Sequence, residues 1–225
     1  MKQFSIKITL LLLTFIFTSC SNNPYKDEIT ASNVLLSAYS TKIKYVDPVR
    51  SYYSYETKVI DQIYESLFEY HYLKRPFKVI PNLAANLPQP VTKKISLQLY
   101  QGKNSPQLFK KQTVKAVSYT VNIKKRVFYA ENKCFPPDPR TGKHTRELTA
   151  ADFIYAFKRI ADPRLLCPIA PVLSSRIYGM QSFYKYNKQK KKTDYSFPVA
   201  GLKQHGRYTL EILLKNPYPQ LIYWL

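Results

Sequence analysis

Residues 148–163 read LTAADFIYAFKRIADP, and this stretch does most to decide the fold. Thr149 and Asp152 stand three residues apart at the start of an apolar period, which is the spacing of a capping box. The period of the apolar residues predicts a helix over Ala150–Ala161, and the Asp162-Pro163 pair ends it because proline cannot continue a helix. The face expected to be buried consists of Phe153, Ala156, Phe157 and Ile160.

Outward from this helix, the sequence predicts strands and further helices without a regular βαβ order. Alternating apolar and polar residues indicate strands, and apolar residues at helical spacing indicate a helix. A segment rich in proline, glycine and charge, Phe135–Arg146, is expected to be a loop. The fold class is therefore mixed α/β. The other predicted strands are Asn33–Tyr39, 95–100, 117–123 and 209–214. Residues 124–129 either continue the strand at 117–123 or form a neighbouring strand. The other predicted helices are Tyr55–Tyr70 and 176–186.

Composition excludes several functional classes. The 225 residues include only five widely spaced glycines, so a P-loop or a Rossmann turn is ruled out. A net charge of +21 with 20 Tyr and 12 Phe raises single-stranded nucleic acid as a partner. Because no RNA- or DNA-binding signature accompanies the charge, an evenly solvated basic surface is the favoured interpretation. Serine-hydrolase and zinc-protease motifs are missing from the sequence as well, so we expect a protein that is not an enzyme.

The first twenty residues, MKQFSIKITLLLLTFIFTSC, have the organisation of a secretory leader. A basic start precedes an apolar run that is too short to span a bilayer. The run ends in Thr-Ser-Cys, which resembles the processing site of bacterial lipoproteins although Phe17 stands where leucine is usual. We therefore expect a signal peptide over 1–19, lipidation at Cys20 and a polar tether over 20–32. A buried cysteine after an ordinary signal peptide is the alternative.

Export affects the two other cysteines. Cys134 and Cys167 flank the predicted helix, and an oxidising compartment permits a disulfide between them, which is the pairing we predict. The sequence alone cannot bring their Cα atoms within bonding range, so free thiols remain an alternative. The three histidines are scattered and no cysteine pair has ligand spacing, so neither a metal nor a cofactor is expected.

The last residues, Gln220–Leu225 (QLIYWL), form an apolar run without polar closing residues. Exposure of so many large apolar side chains is unusual at the end of a domain. The expectation is that the chain is truncated, and the alternative is a C-terminal helix docked on the core.

Several motifs in order resemble one family. The sequence YESLFEY precedes VIPNLA, then YTVNIKKRV, and the most specific match is LTAADFIYAFKR at 148–159. Together they resemble the extracellular solute-binding proteins of family 5, the oligopeptide- and dipeptide-binding lipoproteins of ABC importers. The resemblance covers most of residues 33–225. Family members are much longer, so the resemblance is to their N-terminal part.

The resemblance implies a class II periplasmic-binding-protein-like fold. Residues 33–225 would be part of a first lobe with a small extra subdomain, with the second lobe and the C-terminal part absent. The implied function is that of a peptide receptor in the cell envelope, held to the membrane by its lipid anchor and partnered by ABC permease subunits. The residues expected to face the peptide are Tyr39, Ser40 and Thr41, and their alternative role is to end a strand. One partial lobe is expected to bind peptide weakly by itself. The alternative function is an envelope lipoprotein with a structural or protein-interaction role.

Overall fold

The computed structural model of this chain describes residues 38–39, 41–102, 105 and 107–225. The chain divides into two units, 1–42 and 43–225, and every element named below belongs to the second. The expected signal peptide, Cys20, the tether and all but the end of the predicted strand Asn33–Tyr39 lie outside the described residues. The elements are α1 Ser54–Ile60, β1 Phe68–Tyr70, β2 Val79–Pro81, β3 Pro90–Tyr100, β4 Phe109–Asn122, α2 Ala150–Ile160, α3 Ala170–Arg176, α4 Met180–Lys188, β5 Leu202–His205, β6 Thr209–Leu214 and a 3₁₀ helix Pro219–Tyr223.

A four-stranded antiparallel sheet in the order β3-β4-β6-β5 is the centre of the second unit. One face of β4 and β6 is buried in a single hydrophobic core together with side chains of all three helices α2 to α4. The predicted mixed α/β class is confirmed. The largest fully buried apolar side chains of this core include Phe183, Leu173, Ile177, Met180, Leu210, Ile212 and Leu214.

The opposite face of the sheet carries a smaller apolar cluster and a buried charge. Leu97, Ala116 and Leu213 pack together from three adjacent strands. Glu211 lies two residues before Leu213 on β6, so its side chain is on this same face, and only 3% of the residue is exposed. This face of the sheet therefore has apolar side chains at its middle and the buried carboxylate of Glu211 beside them.

Helix α2 confirms the most specific prediction from the sequence. The Asp152 carboxylate accepts a hydrogen bond from the backbone N–H of Thr149 at 2.8 Å, and the capping box is complete. The helix ends at Ile160, with Ala161 as the capping residue. Phe157 is the buried centre of its apolar stripe, whereas Ala156 is exposed, so the expectation that Ala156 is buried is wrong.

The helix predicted over Tyr55–Tyr70 is wrong in its second half. The helix α1 ends at Ile60, and Leu67 and Phe68 are buried at the start of β1 instead of on a helix face. The reason is pairing with a distant segment, because β1 runs antiparallel to β2 and the Asn82 N–H donates to the Leu67 carbonyl. Such pairing overrides a weak helical period.

Other boundaries differ for local reasons. The strands predicted at 95–100 and 117–123 are longer, as β3 and β4, and the strand at 209–214 is confirmed as β6. Residues 124–129 do not continue β4, because Arg126 has φ 61°, a left-handed conformation that no strand contains. The weak helix predicted at 176–186 is displaced to α4.

Both cysteines of the second unit are free thiols, so the predicted Cys134–Cys167 disulfide is not formed in the structure. Cys134 is exposed, and its N–H donates to the Asn132 side chain in the loop before α2. Cys167 is buried beyond α2, and burial raises the pKa of its thiol. One thiol thus belongs to a surface loop and the other to the interior.

At the C-terminal turn, Leu221 of the 3₁₀ helix is fully buried in the core, while Tyr223 and Trp224 are exposed. The Trp224 indole N–H donates to the Tyr218 hydroxyl at 2.9 Å. Among the described residues, none of the helices combines the length and the apolar character needed to cross a bilayer.

Candidate functional site

The residues predicted to contact peptide lie in the first unit. Tyr39 and Thr41 are both exposed, which leaves their side chains accessible to a ligand. Ser40 lies outside the described residues, as does Cys20. Their roles in ligand binding and lipidation remain predictions.

A loop that follows these residues in sequence exposes several tyrosines. We define the tyrosine loop as residues 44–55. Tyr52 is 73% exposed, and Tyr45 and Tyr53 also face solvent. The Tyr53 ring stacks on Tyr55 with centroids 5.3 Å apart, and the Arg50 guanidinium lies 4.2 Å from the centroid of Tyr45. Tyrosines of this kind offer a large rigid contact area with a polar end, which is the chemistry of many binding surfaces.

A buried carboxylate, Glu56 of α1, organises the tyrosine loop. The residue is 1% exposed, and its Oε1 accepts hydrogen bonds from the backbone N–H groups of Lys44 and Tyr45, each at 3.1 Å. Its Oε2 accepts the Ser51 hydroxyl at 2.9 Å. Burial pushes the pKa of Glu56 up, but these hydrogen bonds outweigh burial and leave the pKa below its usual value. Glu56 therefore binds both ends of the loop as an anion.

A second anchor joins the tyrosine loop to α2. Arg159 donates from both terminal nitrogens to the Asp47 carboxylate, at 3.2 Å and 2.6 Å. A bidentate pair of this geometry fixes direction as well as distance. Within the loop, the N–H groups of Arg50 and Ser51 donate to the Asp47 carbonyl at 3.0 Å. The exposed tyrosines thus stand on a framework fixed at two points, which lowers the entropy lost when a ligand binds.

The predictions from the sequence do not include this loop as a site. The signal that could have found it is the composition of residues 51–55, SYYSY, because tyrosines and serines dominate binding loops. The roles of Glu56 and Arg159 have no such signal.

A second aromatic surface surrounds the free edge of β1. We define the aromatic edge as Tyr70, Phe77, Tyr223 and Trp224. A cavity of about 240 Å³ opens there, between β1 and the C-terminal turn. Its rings pack on each other: Tyr70 lies 6.2 Å from Tyr223 and 5.7 Å from Phe77 between centroids. The rings of the aromatic edge thus bury part of their surface against each other, whereas the Tyr52 ring is mostly exposed to solvent.

The described residues contain no group of three or more side chains that could hold a metal ion. No model of a protein family matches the sequence, and a search of curated proteins finds no match.

Two solved structures are similar to this chain. One is the pheromone receptor PrgZ, described with its mode of peptide binding, with a TM-score of 0.47, 21% identity and 81% of this chain covered. The other is OppA of Listeria monocytogenes bound to peptide, with a TM-score of 0.48, 16% identity and 80% covered. This chain spans about a quarter of each, 27% and 26%. By these descriptions both are peptide-binding proteins.

Proposed function

We propose that this protein binds peptides through the tyrosine loop, as part of a peptide receptor of an ABC importer in the cell envelope. The observation that carries the proposal is the fixing of an exposed, tyrosine-rich loop by the buried carboxylate of Glu56. Burying a carboxylate is costly unless several donors satisfy it. The hydrogen bonds to Glu56 therefore hold the exposed tyrosines on a fixed backbone.

The chemistry of the loop suits peptides of varied sequence. Tyrosine rings contact apolar side chains with their faces and accept or donate hydrogen bonds through their hydroxyls. Such contacts tolerate many sequences, because they do not require one particular polar partner. Ligand contact by Tyr39, Ser40 and Thr41, which the motif resemblance implies, is a separate part of the proposal. Lipidation at Cys20 and contact with permease subunits belong to the same proposal.

A role in protein interaction is the second candidate, and the aromatic edge favours it. Beside it, the connection between β1 and β2 exposes Tyr72 and Leu73 almost fully. Exposed apolar side chains in a group are typical of interaction surfaces. Under this second function, another protein binds at the aromatic edge and no ligand binds at the tyrosine loop.

We expect the paired change Tyr52→Ala with Tyr53→Ala to weaken peptide binding about tenfold, because exposed aromatic anchors carry much of the energy at such surfaces. The measurement is a fluorescence titration of the purified chain with random tetrapeptides, extended to millimolar peptide since binding by this part is expected to be weak.

The matched control changes Tyr72→Ala with Leu73→Ala, two neighbouring residues that are 88% and 77% exposed on the other surface. This control should leave the affinity unchanged. If the control weakened binding and the tyrosine-loop variant did not, the peptide would bind at the aromatic edge, and the proposal would be wrong.

A further inference from the structure

A cavity of about 570 Å³ lies apart in sequence from both aromatic surfaces. It opens between the loop that connects β4 to α2 and the turn that connects β5 to β6. We call it the basic cavity. Its charged lining has five cations and two carboxylates, Asp138 and Glu147, so the cavity carries a net positive charge. The cations are Lys125, Arg126, Arg140, Arg146 and Arg207.

Both carboxylates of the basic cavity are already engaged. Glu147 accepts the backbone N–H of Arg126 at 2.7 Å and the Arg207 guanidinium at 3.0 Å. The Arg126 N–H bond is the main reason that the pKa of Glu147 lies below its usual value. Asp138 accepts the backbone N–H of Arg140 at 2.8 Å and the guanidinium of the same residue at 3.3 Å. Neither carboxylate is left to balance the remaining cations.

Lys125 and Arg126 supply the uncompensated charge. Arg146 pairs with Asp152 of α2, so it too is balanced. Among the ion pairs of the described residues, none includes Lys125 or Arg126. Both residues line the cavity and add to its positive potential, which attracts an anion.

The backbone at Arg126 is strained in a way that favours a function. Its φ of 61° is rare for a residue with a long side chain, and its N–H bond to Glu147 holds this conformation. Strained residues that the surroundings hold in place are concentrated at binding sites. An ordinary surface turn would place glycine or asparagine there at lower cost.

The rest of the wall is apolar. The lining includes Phe128, Tyr208 and three prolines, 136, 137 and 139. The Lys125 ammonium lies 5.9 Å from the Tyr208 ring centroid, and the Arg207 guanidinium lies 5.6 Å from the same centroid. Two of the five cations, Lys125 and Arg207, therefore lie close to the Tyr208 ring. A ligand with an anionic end and an apolar or ring-bearing body complements both parts.

We propose that the basic cavity binds a small organic anion, a phosphate monoester or a dicarboxylate joined to an apolar group. The acidic oxygens lie between Lys125 and Arg126, because a guanidinium binds such groups with two parallel hydrogen bonds. The apolar body packs against Tyr208 and Phe128. The same headgroup chemistry belongs to soluble phosphate esters and to anionic lipids, and the test distinguishes these sources.

The test titrates the purified full chain with phenyl phosphate by calorimetry at moderate ionic strength. We expect saturable binding with a dissociation constant below about 1 mM. Arg126→Gln should weaken it at least about tenfold, because a hydrogen-bonded charge is lost. Glutamine is unbranched like arginine, so the strain at this position stays similar. Lys125→Gln is the second variant, and a weakening of several-fold is expected.

Lys143→Gln is the matched control, because Lys143 is an exposed cation of the same loop outside the cavity lining. It should leave the affinity within about twofold. A second arm replaces phenyl phosphate with vesicles of phosphatidic acid, the lipid whose headgroup is a phosphate monoester, in phosphatidylcholine. Binding of both probes with the same dependence on Arg126 assigns an anionic lipid headgroup, and binding of phenyl phosphate alone assigns a soluble anion. The proposal is overturned if phenyl phosphate does not saturate the protein, or if Lys143→Gln weakens binding as much as Arg126→Gln does.

Discussion

Glu211→Ala is expected to lower the free energy of unfolding by about 3 kcal/mol at neutral pH. The Glu211 carboxylate accepts hydrogen bonds from the Ser118 hydroxyl at 2.6 Å and from His205 Nε2 at 2.8 Å, and it pairs with Lys93. Alanine removes the acceptor at the centre of this group and leaves the buried Ser118 hydroxyl without its partner. The expected loss of stability is at the lower end of the range for breaking a buried ion pair, because the partners Lys93 and His205 are partly exposed and can be hydrated. Urea unfolding measures it.

The same carboxylate makes the stability depend on acid. Burial raises the pKa of Glu211, but hydrogen bonds from Lys93, Ser118 and His205 outweigh burial and lower it to about 2. A pKa that is lower in the folded chain contributes stability above the unfolded value, and this contribution is lost as the pH falls through the folded value.

The stability difference between the natural chain and Glu211→Gln should therefore be largest near neutral pH and shrink between about pH 4.5 and pH 2. Glutamine keeps the shape of the side chain but has no proton to gain in this range. A difference that stayed constant down to pH 2 would show that the charge of Glu211 does not stabilise the sheet.

Gly201→Ala is expected to destabilise the protein by at least about 3 kcal/mol, the upper end for overpacking. An added Cβ would lie 2.7 Å from the Tyr178 carbonyl oxygen and 2.8 Å from both the Tyr178 nitrogen and the Leu213 carbonyl oxygen. All three are backbone atoms, so no side-chain rotation relieves the contact. The close approach is held by hydrogen bonds, since Gly201 donates to Tyr178 at 2.7 Å and accepts from Leu213 at 2.8 Å.

Gly206→Ala is the matched control for this change. Gly206 has φ +66°, and an added Cβ there would have no neighbour within 4 Å. Its replacement should cost about 1 kcal/mol, the cost of a left-handed backbone with a side chain. Thermal unfolding of both variants separates the cost of the close contact at Gly201 from the cost of a left-handed backbone at Gly206. Equal losses would mean that the contact at Gly201 relaxes without a significant cost.

The sequence predicted best those elements whose signals are local. The capping box at Thr149 and Asp152 and the strand at 209–214 each depend on a few neighbouring residues, and both predictions are confirmed. The helix predicted over Tyr55–Tyr70 was wrong where pairing with β2 decides the structure. The proposed Cys134–Cys167 pairing was wrong for a similar reason, because the redox compartment permits a disulfide but does not place two residues near each other.

The tyrosine loop was not among the sites predicted from the sequence. The expected ligand residues end at Thr41, and the tyrosine loop begins at Lys44. What the sequence could not show is the anchoring: Asp47 and Arg159 are 112 residues apart, and their pairing depends on how α2 packs. Glu56 looks like any helix residue until its burial is known. Long-range contacts of this kind position a site, whereas composition shows only that its side chains are present.

The central claim is that peptides bind at the tyrosine loop, and mapping of backbone amide chemical shifts by NMR tests it most directly. Random tetrapeptides are added to the chain up to millimolar concentration, a range in which weak binding still moves resonances. We expect saturable shifts at residues 44–55, with the aromatic edge and the basic cavity unchanged, and we expect Tyr52→Ala with Tyr53→Ala to abolish most of them. Saturable shifts confined to other surfaces, or none at all at millimolar peptide, would contradict the claim.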